Sequence, residues 1–244
     1  MKQLVLLICL LCSARAFTQD QSTCTDTMQI KSLILNEDRS VVIIKSKLVS
    51  PGDSVGFLYL IDGEFAIYRA QYMKDHFGDS LSNWIVVGIV NTDRRRDLLY
   101  VNGAAQFLDF ITQELVPAVE KDYKIKQRIL YGHSFGGSFA IYAMLRKPGN
   151  FDGYIASSPT PIMDLVQKES YLQMDSTCKD QVSFYFSCGS RDMKQVSKWS
   201  RNLSDNLSGL NFNKLDWQYQ VLKGMDHNNS DVAALVNGLR FLKR

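Results

Sequence analysis

Arg128-Ile-Leu-Tyr-Gly-His-Ser-Phe-Gly-Gly137 runs a short apolar segment directly into the pattern Gly132-x-Ser134-x-Gly136. Ile129-Leu-Tyr131 has the β-branched and aromatic character of a strand. Ser138-Phe-Ala-Ile-Tyr-Ala-Met-Leu145 carries a helical pattern that stops at Lys147-Pro148-Gly149. A serine held between a strand and a helix in this way sits on a sharp, strained turn, the nucleophile elbow. The turn crowds its own backbone, so Gly132 and Gly136 stand where a side chain would collide with the neighbouring strand or helix. The competing reading of the pattern is a structural glycine-rich turn, and the partners of Ser134 decide between them.

Working outward, residues 28–49 read as two strands joined near Asn36-Glu-Asp-Arg39, an antiparallel start to the sheet. Further strands are expected at 55–61, 84–90, 127–131, 151–157, 182–188 and 215–222, with helices near 65–76, 103–122, 134–146, 192–208 and 230–242. Nearly continuous apolar strands alternating with amphipathic helices indicate an α/β fold with a mostly parallel sheet covered on both faces. Ligands of such sheets sit beyond the carboxyl ends of the strands, so each catalytic residue is expected to follow a strand.

A serine hydroxyl needs a base to take its proton and a third group to orient that base. Three histidines are present. His133 adjoins Ser134, but the elbow turns its side chain away, so it reads as a support. His76 ends a helix that precedes the nucleophile. His227 follows the expected strand ending at Leu222, in a loop rich in Gly, Asp and Asn, and is the candidate base. Asp192 follows Val182-Ser-Phe-Tyr-Phe-Ser-Cys188 and lies between serine and histidine in chain order, so it is the candidate acid. Its alternative role is a cap for the helix near Lys194, and Asp226 is the other possible acid. Negative charge on a substrate oxyanion needs converging donors. The expected pair is the Phe135 N–H and the Glu64 N–H in Ile61-Asp-Gly-Glu-Phe65, where a plain strand-ending turn is the competing reading.

Met1-Lys2, the apolar run Leu4–Leu11 and Ala14-Arg-Ala16 are read as a secretory signal peptide over residues 1–16, leaving a single catalytic domain over 17–244. Lipoprotein processing at Cys9 or Cys12 is the alternative. The apolar run is short for a membrane anchor, and the expectation is a periplasmic or secreted protein with no integral membrane segment after cleavage. With Lys2 and Arg15 removed, the 28 basic residues become 26 against 25 acidic ones. That near balance carries no footprint for nucleic acid. Cys24, Cys178 and Cys188 remain, without metal-site spacing. A Cys178–Cys188 bridge, a bridge from Cys24 to either, and simple burial all stay open. Nothing in the sequence speaks to oligomeric state.

Taken together, Tyr59-Leu-Ile-Asp-Gly-Glu64, Val87-Gly-Ile-Val-Asn91 with Arg94 to Asp97, Phe110 to Pro117 leading into the elbow, Phe151-Asp-Gly-Tyr-Ile-Ala-Ser-Ser-Pro159, and His227 with the last helix resemble the putative-esterase branch of the α/β-hydrolases. That branch includes esterase D and the enterochelin-type siderophore esterases. The resemblance covers about residues 28–243. It implies an α/β-hydrolase fold, Ser134 as nucleophile, His227 as base, the Phe135 and Glu64 amides as oxyanion hole, and no metal or organic cofactor. Siderophore-esterase relatives can work with a serine–histidine pair, so it leaves the need for Asp192 open. The implied activity is hydrolysis of a small-molecule ester, with siderophore, feruloyl and small acyl esters as candidates. A secreted acyltransferase and a non-enzymatic binding protein are the other two readings, and the last expects Ser134 and His227 to lie apart.

For substrate contacts, Arg94 and Arg95 follow the strand ending near Val90, with a solvated loop held by Asp97 as the alternative. Trp199 is a candidate cleft residue. The span from Pro159 to Gln181 is the insert that would build a pocket, with Tyr171 and Met174 as its candidate lining residues.

Overall fold

The computed structural model describes residues 22–162 and 167–243, with no side-chain description for 168 and 169. The expected leader over 1–16, Cys9, Cys12 and residues 163–166 of the insert lie outside the described residues. Eight strands form one sheet: β1 (Thr23–Ser32), β2 (Glu37–Ser46), β3 (Ser54–Ile61), β4 (Trp84–Ile89), β5 (Lys124–His133), β6 (Gly153–Ser157), β7 (Val182–Gly189) and β8 (Leu215–Leu222). Their order is β1-β2-β4-β3-β5-β6-β7-β8. β1 pairs antiparallel with β2, and β2 antiparallel with β4, while the pairs from β4 through β8 are parallel. This is the mostly parallel sheet with an amino-terminal hairpin that the sequence pattern predicts.

The helices are α1 (Ala66–Phe77), α2 (Arg94–Leu98), α3 (Ala104–Phe110), α4 (Val116–Glu120), α5 (Phe135–Arg146), α6 (Lys168–Thr177), α7 (Lys194–Ser208) and α8 (Ser230–Leu242). The helix expected over 103–122 is α3 and α4 joined through a π-helical turn at Ile111–Leu115. Period-two alternation sorts each strand between two layers. Phe57, Tyr59 and Ile61 of β3 face a core completed by α3, α5, α6 and α7, and Leu58 and Leu60 face one completed by α1 and α8. Both sheet faces are covered, so the carboxyl ends of the parallel strands are where loops can carry chemistry. No helix among the described residues is long and apolar enough to cross a membrane.

Two expectations change and one open choice is resolved. The arginine triplet is not a solvated loop: Arg94–Leu98 is a short helix whose cap is Asp93, its carboxylate accepting from the N–H groups of Arg95 and Arg96. Asp97 is buried and accepts from Arg39 Nη1 at 2.7 Å as well as from Arg96 Nε at 2.8 Å. Tyr171 and Met174 are core residues of α6, each 1% exposed, so neither lines a pocket. Cys24, Cys178 and Cys188 are all free thiols; Cys178 packs against Met174 and Cys188 against Tyr219.

Candidate active site

Ser134 leaves β5 with φ 58° and ψ −118° and is followed at once by α5. That conformation is costly for a residue with a Cβ. It survives because the flanking contacts permit and hold it: a Cβ on Gly132 would drive into the Gly136 carbonyl, and the Ser134 N–H is tied to the Ser157 carbonyl at 2.9 Å. The turn lifts the serine side chain off the end of the sheet.

β8 ends at Leu222, and the following loop returns His227 over that serine. Ser134 Oγ donates to His227 Nε2 at 3.1 Å, and His227 Nδ1 donates to Asp192 Oδ1 at 2.8 Å. Ser134 and His227 therefore lie together, without the separation that a non-catalytic scaffold predicts. Asp192, in the turn after β7, is fully enclosed. Its Oδ1 also accepts from the Met193 N–H at 2.8 Å, while Oδ2 accepts from Ser158 Oγ at 2.6 Å and the Gly189 N–H at 3.2 Å. Burial pushes the carboxyl pKa up, but the donors from Ser158, His227, Met193 and Gly189 outweigh it and hold the group below its ordinary range. It is thus an anion aimed at the imidazole. Asp226 is spent within its own loop, accepting from the N–H groups of Asn228 and Asn229.

His133 turns away from the serine. Its Nδ1 lies 3.1 Å from Ser157 Oγ, and its ring centroid is 4.9 Å from that of His227. Burial, with the neighbouring cationic groups, lowers its pKa to about 4. A neutral ring therefore flanks the base, where a second cation would oppose imidazolium formation. His76 is engaged elsewhere, stacked on Tyr72 with Nδ1 against the Tyr72 carbonyl.

The loop after β3 supplies the second wall. Asp62 has φ 60° and ψ 60° and opens a single 3-10 turn over Gly63–Phe65. Gly63 presses so close to the backbone of Gly88 that a Cβ there has no room. Among the described residues, no acceptor takes the N–H of Glu64 or of Phe135, so both remain open to a ligand oxygen. The Glu64 carboxylate is not free: it accepts from the Asn91 N–H at 2.9 Å and from Asn91 Nδ2 at 3.1 Å.

Arg94 braces this loop. Its Nε and Nη2 fork onto the Asp62 carboxylate at 2.6 and 2.9 Å, and Nη2 also reaches the His133 carbonyl at 3.3 Å. Its guanidinium lies 5.3 Å from the centroid of the Phe135 ring. Nε and Nη2 are thus committed to joining the two halves of the site, while the side chain stays 35% exposed. Arg95 is exposed on α2, with its N–H on Asp93. Trp199 is not a cleft residue: at 6% exposed it packs into the core from α7.

Ser158 and Ser230 were not picked out from the sequence. Ser158 Oγ lies 2.8 Å from Ser230 Oγ, which is itself 3.0 Å from the His227 carbonyl. A line of hydroxyls thus connects Asp192 to the backbone of His227. The strand-end rule applied to β6 finds Ser158, the first residue beyond it.

A model of the family described as Putative esterase matches residues 32–229, spanning the site from the β1–β2 turn to the loop of His227. The chain belongs to this family. It is 34% identical over 111 residues to the siderophore triacetylfusarinine C esterase of Aspergillus fumigatus, covering 42% of this chain and 38% of that one. It is 45% identical over 60 residues to the ferri-bacillibactin esterase BesA of Bacillus subtilis, covering 24% of this chain and 21% of that one. The matched stretches thus span well under half the length of these relatives. Among solved structures, the BES protein from Bacillus cereus superposes with a TM-score of 0.80 at 22% identity, over 99% of this chain and 97% of that chain. The enterobactin and salmochelin hydrolase IroE superposes with a TM-score of 0.70 at 15% identity, over 92% of this chain and 96% of that chain. These two likenesses establish the fold, an α/β-hydrolase arrangement.

Proposed function

We propose that this protein is a serine carboxylic-ester hydrolase, acting outside the cytoplasm on a siderophore-type ester. One observation carries the reaction: the continuous line from Ser134 Oγ to His227 Nε2, and from Nδ1 to Asp192, at 3.1 and 2.8 Å. His227 takes the Ser134 proton as Oγ attacks the ester carbonyl, and the carbonyl π electrons move onto oxygen. The Phe135 and Glu64 N–H groups stabilise that oxyanion. Its collapse expels the alkoxide, which takes the proton from the imidazolium and leaves as the alcohol. Water, deprotonated by His227, then attacks the acyl-Ser134 ester. The second collapse frees the acid and returns the proton to Ser134. No step consumes a metal or organic cofactor.

The substrate class draws support from the siderophore-esterase relatives, and export from the signal-peptide pattern at residues 1–16. The mechanism is tested by incubating the purified protein with a fluorophosphonate and mapping the adduct by peptide mass spectrometry. Labelling of Ser134, absent in Ser134→Ala, is the expected result; labelling elsewhere sinks the mechanism. Triscatechol siderophores, feruloyl sugars and short acyl aryl esters are then compared by kcat/KM, and a preference for either of the last two overturns the substrate class. Export predicts that the mature chain begins at Phe17, which amino-terminal sequencing of protein from outside the cytoplasm checks.

A further inference from the structure

Arg69 lies on α1 and is only 1% exposed, among the largest fully buried side chains of the described residues. Its guanidinium touches three separate parts of the site. Nη1 donates to the carbonyls of Ile61 and Asp62 at 2.7 and 3.1 Å, the two residues that launch the loop carrying the Glu64 N–H. Nε and Nη2 donate to Asp231 Oδ2 at 3.2 and 3.1 Å, at the start of the helix that follows the His227 loop. Its carbon stands 5.1 Å from the ring centroid of Tyr131, three residues before Ser134. The Tyr131 hydroxyl in turn donates to the Asp231 carboxylate and, at 2.9 Å, lies within reach of the Asp231 carbonyl.

Filling this space does not require a charge, and taking a guanidinium out of water is costly. An apolar side chain of similar length would pack between α1, β5 and α8. What the guanidinium adds is a rigid fork of donors in fixed directions. Two of them, both on Nη1, grip the carbonyls on either side of the Asp62 α-carbon, whose left-handed φ of 60° needs holding. Arg94 holds the side chain of that residue from the opposite side. Released from Arg69, the backbone can relax, and the Glu64 N–H turns with it.

Resting on the serine-esterase reading above, we infer that Arg69 is a positioning residue: through the Ile61 and Asp62 carbonyls it sets the direction of the Glu64 N–H toward the oxyanion. It has no contact with the reacting atoms of its own. Its loss acts on the transition state, where the oxygen is charged, more than on ground-state binding.

The test compares an aryl ester with its thionoester, in which sulfur replaces the carbonyl oxygen and accepts hydrogen bonds weakly. Both substrates are measured on one preparation, so the ratio of their kcat/KM values does not depend on how much of a variant is folded. Removal of an oxyanion-hole donor costs on the order of 10² to 10³ in kcat. Arg69→Met is expected to lose about 10² in kcat on the oxoester, with KM within a few-fold and the thionoester rate within about fivefold. Arg69→Lys, whose single nitrogen can stand in for Nη1 on the carbonyls but cannot also span to Asp231, is expected to lose about tenfold and carries the test should the methionine variant fail to fold. Equal losses on both substrates, or no loss on the oxoester, overturn the inference. Failure of the underlying reading looks different: wild-type turnover would then be unchanged in Ser134→Ala.

Discussion

Asp192→Asn keeps shape and removes charge, so it isolates what the carboxylate does for His227. In the native site, Oδ1 accepts from His227 Nδ1 and the Met193 N–H, and Oδ2 from Ser158 Oγ and the Gly189 N–H. The amide must turn its NH2 to one side. Toward His227 it meets two donors and no acceptor. Toward Ser158 it meets one N–H and a hydroxyl that can rotate to accept. The second rotamer is preferred, and it leaves the amide carbonyl on His227 Nδ1–H with Nε2 still free to take the Ser134 proton. The tautomer is kept, and the attraction between imidazolium and carboxylate is lost. Two unit charges about 4 Å apart interact by about 4 kcal/mol at an effective dielectric of about 20, equivalent to about 10³ in rate. Initial rates on a saturating short-chain aryl ester are therefore expected to show kcat reduced about 10³-fold, with KM within about threefold. A loss below tenfold refutes the reasoning, because Ser134 and His227 would then suffice without the charge. A loss beyond about 10⁴ refutes the rotamer preference, since that is the penalty of the wrong tautomer.

Ser134→Ala is expected to leave no turnover above the hole-and-binding remainder, with ligand binding intact by calorimetry. Arg94→Met removes the fork from Asp62 and costs about 1 to 3 kcal/mol by urea unfolding, less than a fully buried pair because Arg94 is 35% exposed; kcat falls for neutral and anionic esters alike, whereas a fall confined to KM for anionic esters would mark a substrate contact. Ser158→Ala takes a 2.6 Å donor from Asp192 and is expected to cost about 1 to 2 kcal/mol and three- to tenfold in kcat. His133 stays neutral in the folded protein down to about pH 4, while its ordinary value is 6.5. Its contribution is thus complete above pH 6.5 and is lost as pH falls toward 4. Because the ring keeps some contact with solvent, about 1 to 2 kcal/mol of acid sensitivity is expected, and the difference between wild type and His133→Asn across that window measures it.

The fold was legible because its signals are local and repeated. β3 and β4 are nearly continuous apolar runs, β5, β6 and β7 each hold an apolar or aromatic triplet, β8 alternates, and each long helix carries its stripe. Short elements were missed: α2 has one turn and little periodicity, and α6 sits in a span without a strong apolar pattern. Trp199 was misplaced although the signal was present. Val196, Trp199, Leu203 and Leu207 recur at helical spacing and are all buried, which makes the tryptophan part of the core stripe. Tyr171 and Met174 follow the same spacing. Arg39 shows the opposite limit: it is wholly buried in β2 and paired with Asp97, and nothing in either local sequence announces the other. The strand-end rule brings Ser134, His227 and Asp192 of the candidate site together, whereas the braces of Arg69, Arg94 and Ser158 depend on which loops the topology brings together.

Backbone strain gives a view of the active face that does not depend on the serine motif. Among the described residues, the non-glycine positions with positive φ are Asn36, Asp62, Ser134 and Ser158. Asn36 is in the β1–β2 turn, where asparagine tolerates that conformation readily. The other three each follow a parallel strand: β3, β5 and β6. Strain of this kind costs on the order of 1 to 3 kcal/mol per residue and persists only where the surroundings over-determine it. Asp62 is held by Arg69, Arg94 and Asn91, Ser134 by the Ser157 carbonyl, and Ser158 by the hydroxyl chain from Asp192 to His227. Surface loops with no task have no reason to collect such residues on one end of a sheet. Here each strained residue sits beside a group the proposed reaction uses: the Glu64 N–H, Ser134 with the Phe135 N–H, and the anchored Asp192. The two-layer core therefore supplies more than a platform, because its stability holds three loops in conformations they would not keep alone.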